Sequence, residues 1–326
     1  MVYNKYIGII GGTGTIGSII VKYLLQLQTH FHVLIGGRRS IKEISMSTFY
    51  NSERLKYNQM NYNNDVELDN FCSQCLLVIN AVGPSFKIND KIALHALRNN
   101  CHYIDIGGYG ILRDLLKPYE KSIEAQKLCF IIGVGWMPGI SGVFSKTIIE
   151  THLNSPENTN FNIYYGAVDN WSYSSTYDLA ASSMGKTRSY VYSHGKEIQV
   201  SPFRYTHHKF FPFIGHKKIC MPSFDEQLTQ LATSLKQIRK ISTFIMLNDY
   251  ISMGKFMFIK IFYKHNLNKA TLMLQDDYQR LVKKENKWGS VICQVSKIEP
   301  ERKIDTFYYL YTKNNLLYRS EERRVG

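Results

Sequence analysis

The segment Gly12-Thr13-Gly14-Thr15-Ile16-Gly17 has the composition and spacing of a turn that holds a pyrophosphate. An apolar, β-branched run at 5–10 precedes it, and helical periodicity follows at 18–28, with Ile19, Ile20, Tyr23, Leu24 and Leu27 on one side. In such a strand–turn–helix, Gly12 permits the tight turn and Gly14 lets the backbone approach the phosphates. Gly17 lets the helix pack closely on the strand, and free N–H groups at the helix start face the anion. A second group, Gly36-Gly37-Arg38-Arg39-Ser40, ends the next strand. Enzymes that use NAD place a carboxylate here for the ribose 2′-hydroxyl. This chain has none before Glu43. Arg38 and Arg39 instead offer planar cations suited to a 2′-phosphate, and Ser40 adds a hydroxyl, which favours NADP(H) over NAD(H).

Three further groups fall at strand ends: Asn80-Ala81-Val82-Gly83-Pro84-Ser85, Tyr103-Ile104-Asp105-Ile106-Gly107-Gly108, and the run from Gly133 to Gly142. Ligands of open α/β sheets bind beyond the carboxyl ends of strands, so all three lie on the ligand side. Asn80 can cap the turn or hydrogen-bond the nicotinamide ribose.

The elements that position these groups alternate. Strands are read at 5–10, 32–35, 76–80, 103–106 and 129–132, and helices at 18–28, 88–99 and 111–126. Pro138 suits the first turn of another helix running to about 152. This is the pattern of a doubly wound parallel sheet. It changes across a polar loop at 154–160. Beyond it, alternating runs at 161–168, 190–200, 255–263 and 291–298 read as strands, and 177–184 and 226–238 as helices. The expected architecture is a Rossmann domain over 1–152 followed by an α+β domain with a largely antiparallel sheet over 153–318, serving substrate binding or dimerisation. Residues 319–326 have no periodicity or apolar anchor and resemble a translated sequencing-library adapter, so they are read as a non-native tail.

Taken in order and at their spacing, the five groups resemble the NADP-binding domain of the saccharopine dehydrogenase (saccharopine reductase-like) family over about residues 5–150. The resemblance implies a Rossmann domain, NADP(H) and hydride transfer at a C–N bond, either reduction of an imine or oxidation of a secondary amine. Family members commonly carry an acidic residue after the glycines of the fourth group, where this chain has Tyr109. The second half carries no motif that matches.

Candidates for catalysis are Asp105 and His102 in the first domain. In the second, Tyr177, Asp178 and Arg188 flank a Ser/Ala-rich helix at 180–183 of the kind that admits a substrate closely. Arg188 suits a carboxylate. Trp136 and Met137 shape the nicotinamide pocket or belong to the core. Two other readings stay open: a non-catalytic NADP(H)-binding sensor or regulator, and an extended short-chain dehydrogenase. The second needs a helical Tyr-x-x-x-Lys pair. Tyr192 and Lys196 have that spacing, but in strand-like sequence containing a glycine.

The bulk composition, 44% hydrophobic and 20% charged, is that of a globular chain. No apolar run reaches a membrane span and no signal peptide is visible, so a cytoplasmic protein without a membrane partner is expected. Of the net charge of +14, residues 1–152 supply 15 basic minus 11 acidic, or +4. Residues 153–326 supply 25 minus 15, or +10. The basic residues are scattered singly, which argues against nucleic acid and for an anionic small-molecule substrate. A homodimer is a further expectation. No metal site is expected. Cys72 and Cys75 lack a second ligand pair and read as free thiols between a helix and a strand.

Overall fold

The computed structural model describes residues 5–27, 30–40, 52–107, 110–153, 156–184, 189–223, 226–263 and 265–313. The chain divides into two compact units between Gly139 and Ile140. The helix that follows therefore groups with the second unit, whereas the sequence reading ends the first domain at 152. The adapter-like tail at 319–326 and the candidate Arg188 lie outside the described residues.

The first unit contains β1 (Tyr6–Ile10), α1 (Thr15–Gln26), β2 (Val33–Gly37), β3 (Leu55–Gln59), α2 (Asp65–Cys72), β4 (Cys75–Asn80), α3 (Ser85–Ile88), α4 (Lys91–Arg98), β5 (His102–Asp105), α5 (Gly110–Leu116), α6 (Glu120–Ala125) and β6 (Phe130–Ile132). Its six strands are parallel in the order β3-β2-β1-β4-β5-β6. The strand order reverses between β1 and β4, which opens a crevice at their carboxyl ends. Ile9, Val21, Val33, Ile35 and Ile79 form the core on one face. Leu68, Phe71, Val78, Ile92, Ala96 and Tyr103 lie in the core on the other. Cys72, Cys75 and Cys101 are buried free thiols in that second core. Burial pushes all three thiols up, that of Cys101 to about 11.

Two helices expected as continuous are broken. The run at 111–126 splits into α5, a 3-10 turn at Lys117–Tyr119 and α6, because Pro118 has no N–H to continue the ladder. The run at 88–99 begins earlier, as α3, and breaks at Asn89, whose φ is 51°. Pro138 does not open a helix. It sits in a tight loop in which the Gly135 N–H donates to the Pro138 carbonyl at 3.0 Å. Gly139 has φ 130° there, and a Cβ on it would overlap the Gly135 backbone.

The second unit contains α7 (Ile140–Thr151), β7 (Thr159–Val168), α8 (Tyr173–Met184), β8 (Tyr190–Ser193), β9 (Lys196–Gln199), α9 (Pro202–Tyr205), β10 (His207–Phe211), β11 (His216–Pro222), α10 (Glu226–Ser234), β12 (Lys240–Leu247), α11 (Tyr250–Phe262), α12 (Leu267–Lys284), β13 (Trp288–Ile298) and β14 (Lys303–Lys313). Its mixed sheet runs β10-β11-β12-β7-β13-β14, with the β8–β9 hairpin attached to β12. Among its described residues only β12 and β7 pair in parallel. The sheet curls until its edges meet. Phe213, in the β10–β11 turn, stacks on Tyr309 of β14 at 4.1 Å, and the Lys209 Nζ of β10 donates to the Gln294 Oε1 of β13 at 2.7 Å. The enclosed face carries Tyr164, Phe211, Phe244, Trp288 and Ile292. The opposite face packs Ile219, Met221 and Leu247 against Ala180, Phe256, Ile259, Ala270 and Leu274 of α8, α11 and α12.

The strand expected at 255–263 is the helix α11. Its alternation is too short and too apolar to tell the two periods apart. The deciding signal lies upstream, where the Asp249 carboxylate accepts the Ser252 N–H at 2.8 Å as an N-cap. The run at 190–200 is a hairpin turned by His194 and Gly195, both with positive φ.

Candidate cofactor site

The glycine turn joins β1 to α1. Gly11 has the left-handed backbone conformation, with φ 83°, whereas the sequence reading gave the tight turn to Gly12. Gly12 is required for packing instead, since a Cβ there would lie 2.8 Å from the Ile35 Cγ2. A Cβ on Gly17 would overlap the Gly11 carbonyl, so the helix cannot approach the turn with any larger residue. Gly14 differs from both. A Cβ on it would meet only the Gly11 oxygen at 3.1 Å, and its other side opens to solvent. Thr15 and Ile16 are exposed beside it.

Gly14 is the N-cap of α1. No side chain caps the helix, and its first turn holds no acidic residue. The contrast with α2 is informative. There the Asn64 side chain accepts from the Val66 and Glu67 N–H groups, and Glu67 accepts from Asn61 N–H and Asn64 Nδ2. Asp65 and Glu67 also answer the positive end of that dipole. The α2 start is self-satisfied, and the α1 start is left open to an anion.

The carboxyl end of β2 lies next to this turn. A Cβ on Gly37 would come within 3.5 Å of the Thr13 Oγ1. Arg38 and Arg39 follow and are exposed; Ser40 is half-buried. Tyr57 of β3 fixes their backbone, its hydroxyl donating to the Gly37 carbonyl at 3.0 Å and the Arg39 carbonyl at 2.5 Å. Sequence reasoning passed over both Tyr57 and β3. The strand is polar and short, and only the alternation of Leu55, Tyr57 and Gln59 marks it.

Asn80 and Asp105 end neighbouring strands and are buried together. Asn80 Nδ2 donates to Asp105 Oδ2 at 2.8 Å, and Asn80 Oδ1 accepts the Val82 N–H at 3.0 Å. Asn80 therefore shapes the turn through Ala81, Val82, Gly83 and Pro84. The Gly83–Pro84 bond in that turn is cis. Asp105 also accepts from the Tyr103 hydroxyl at 2.6 Å and the Gly107 N–H at 2.8 Å. Burial and the neighbouring Asp105 charge push the Tyr103 phenol far up, so it remains a donor. Asp105 thus ties the ends of β4 and β5 together. A shallow hollow beside it is lined by Asn80, Ser85, Phe86, Asn89 and Ile111.

The remaining candidates fall elsewhere. His102 stands at the amino end of β5, where its Nδ1 accepts the Cys129 N–H at 3.0 Å. Tyr177 and Asp178 are buried on α8 in the second unit. The small residues Ala180 and Ala181 are buried as well, and Ala180 packs in the core with Ala270 and Leu274 of α12. They let two helices approach, which is the work the sequence reading gave to a substrate. Tyr192 and Lys196 sit on opposite strands of the β8–β9 hairpin, so they do not form the helical pair of a short-chain dehydrogenase.

Residues 7–129 match the family model described as the saccharopine dehydrogenase NADP binding domain. This part of the chain is thus similar to the NADP-binding domain of that family. Among solved structures, the chain is similar to apo saccharopine dehydrogenase (L-Glu forming) from Saccharomyces cerevisiae, at 12% identity over 95% of this chain and 86% of that one, with a TM-score of 0.63. That likeness spans both units and establishes the fold. The chain is also similar to a short-chain dehydrogenase/reductase from Veillonella parvula in complex with NADP, at 19% identity over 39% of this chain and 67% of that one, with a TM-score of 0.30. A search of the curated proteins finds no match.

Proposed function

We propose that the chain is a cytoplasmic NADP(H)-dependent oxidoreductase that transfers hydride to or from a C=N or C=O carbon of a small anionic substrate. The carrying observation is the uncapped, acid-free start of α1 beside two exposed arginines. The residues present fit the cofactor. The N–H groups of Thr15 and Ile16 take the pyrophosphate, the Gly14 N–H being bonded to the Gly11 carbonyl, and Gly14 leaves it room. Arg38 and Arg39 take the 2′-phosphate, with Tyr57 holding their backbone. The Asn80–Pro84 turn, fixed by Asp105, borders the nicotinamide side. Bound NADP(H) supplies or accepts the hydride, and the chain contributes orientation and a fixed polar edge. Asp105 serves as a positioning residue, since both its oxygens are engaged. Arg188 and Tyr177 remain candidates for the substrate carboxylate and proton.

The test is a fluorescence titration with NADPH and NADH on wild type and Arg38→Ala at fixed ionic strength. Wild type binds NADPH more tightly than NADH. Arg38→Ala loses about tenfold for NADPH, the worth of one charge-assisted phosphate bond, and little for NADH. Equal affinities in wild type overturn the 2′-phosphate site. Tight NADPH binding without turnover on any amine–carbonyl pair would turn the reading to a sensor.

A further inference from the structure

Helix α11 buries Ser252, Phe256 and Ile259 against the second unit. Its opposite face carries Tyr250, Ile251, Gly254, Phe258, Ile261 and Phe262. The five large side chains on that face are between 40% and 65% exposed. No charged residue interrupts it. The Phe258 and Phe262 rings pack on each other at 4.5 Å, and a Cβ on Gly254 would meet nothing within 4 Å. A helix that is apolar all round is normally buried, and an exposed contiguous patch marks an interaction surface.

The charge beside the patch identifies what covers it. Residues 250–269 contain no Asp or Glu. Lys255 is held by Asp276 and Asp277 of α12, whereas Lys260 lies over the Phe256 ring and Lys269 is exposed at the start of α12. Two-fold pairing with a second copy of the chain would set these lysines against their own images, with no carboxylate in the segment to answer them. An anionic headgroup layer answers them and accepts the apolar face as well.

We propose that α11 is an interfacial helix that lies in the plane of an anionic lipid surface, with Ile251, Phe258, Ile261 and Phe262 in the acyl boundary and Lys269, at the start of the next helix, at the headgroups. The helix is about 20 Å long, too short to span a bilayer. Among the described residues no helix is long and apolar enough to cross a membrane. The expectation of no membrane partner rested on span length, which an interfacial helix does not need. The inference stands on the second unit and does not depend on the oxidoreductase reading.

The experiment is co-sedimentation of the full chain with vesicles of phosphatidylcholine alone or mixed with phosphatidylserine. Wild type binds the mixed vesicles, less so as salt rises, and binds pure phosphatidylcholine weakly. Phe258→Glu/Phe262→Glu, two exposed positions, weakens binding about a hundredfold while the thermal transition and NADPH affinity hold. Gly254→Leu adds apolar area to the open face and tightens binding several-fold. The proposal is overturned if wild type ignores mixed vesicles at low salt, or if the double variant binds them as wild type does. It also falls if wild type sediments as a dimer that the double variant dissociates, with no vesicle binding.

Discussion

At the carboxyl edge of the first sheet, β1 runs into Gly11-Gly12 and β2 ends in Gly36-Gly37. An uncapped helix start and two exposed arginines follow. Inside and around the second sheet several cations are already engaged. Lys209 donates to Gln294 and lies over Tyr164 and Phe307. Lys218 is fully buried, donating to Asn248 at 2.6 Å and to Glu285 at 3.2 Å. Arg280 pairs with Asp249 and Asp277, Lys287 with Asp169, and Lys303 with Asp305. The half of the chain with the larger positive charge therefore spends many of its cations on its own fold, and the half with the smaller excess leaves two arginines exposed. Net charge per domain is a poor guide to where an anion binds; the guide is which donors the fold leaves unanswered.

That contrast is open to attack at Gly14. Its φ of −81° and ψ of 176° suit any residue, and aspartate is a preferred N-cap. Gly14→Asp should leave the thermal transition unchanged or raised, yet weaken NADPH more than a hundredfold, because a carboxylate within about 4 Å of a phosphate costs several kcal/mol even when screened. Titration and melting on one sample check both signs. Loss of binding together with loss of stability would mean that the loop serves the fold and not the cofactor. The complementary change is Lys218→Ala. It strands the half-buried Glu285 and removes a cation lying 5.0 Å from the Trp288 ring. The cost should be about 2–3 kcal/mol in denaturant unfolding, at the lower end for broken buried pairs because Glu285 keeps some solvent. NADPH affinity should not move.

The fold of the first unit was legible because its strand ends are written in residue types with few alternatives. Glycines at 12, 14 and 17, arginines at 38 and 39 and the Asn80–Pro84 turn each follow a strand that the apolar pattern marks by itself. What escaped there depended on contacts between distant residues: the positive φ at Gly11 rather than Gly12, and Tyr57 reaching back to Gly37 and Arg39. The second unit was legible only as a class. Its strands are two-faced and its sheet curls until β10 meets β14, which brings Lys209 and Phe213 against β13 and β14 through contacts no local pattern shows. α11 was read as a strand because both of its faces are apolar. A helix with one solvated face would have shown its period.

The smallest of these effects, and the one that compares the two units most directly, is acid sensitivity. Burial raises the Asp249 carboxyl, but the two Arg280 bonds and the Ser252 N–H outweigh it and hold the group well below the usual carboxylate range. Asp305 is likewise held low against burial, by Ser296, Gln294 and Lys303. A carboxyl depressed in the folded state contributes stability that is complete above its unfolded pKa of about 3.9 and is lost as pH falls below that. In the first unit, Asp65 is held low by Lys91, and Asp69 is held low against burial by His95 and Asn99, but both are more exposed. Between about pH 4 and pH 2 the second unit should therefore lose stability before the first. Fluorescence of Trp171, stacked on Tyr278, and of Trp288 would report it. Asp249→Asn should lower stability at neutral pH by less than Lys218→Ala does and flatten the acid limb. An unchanged limb would move the acid sensitivity to Asp305 and the closed face of the sheet, and leave the Asp249–Arg280 pair as no more than an N-cap for α11.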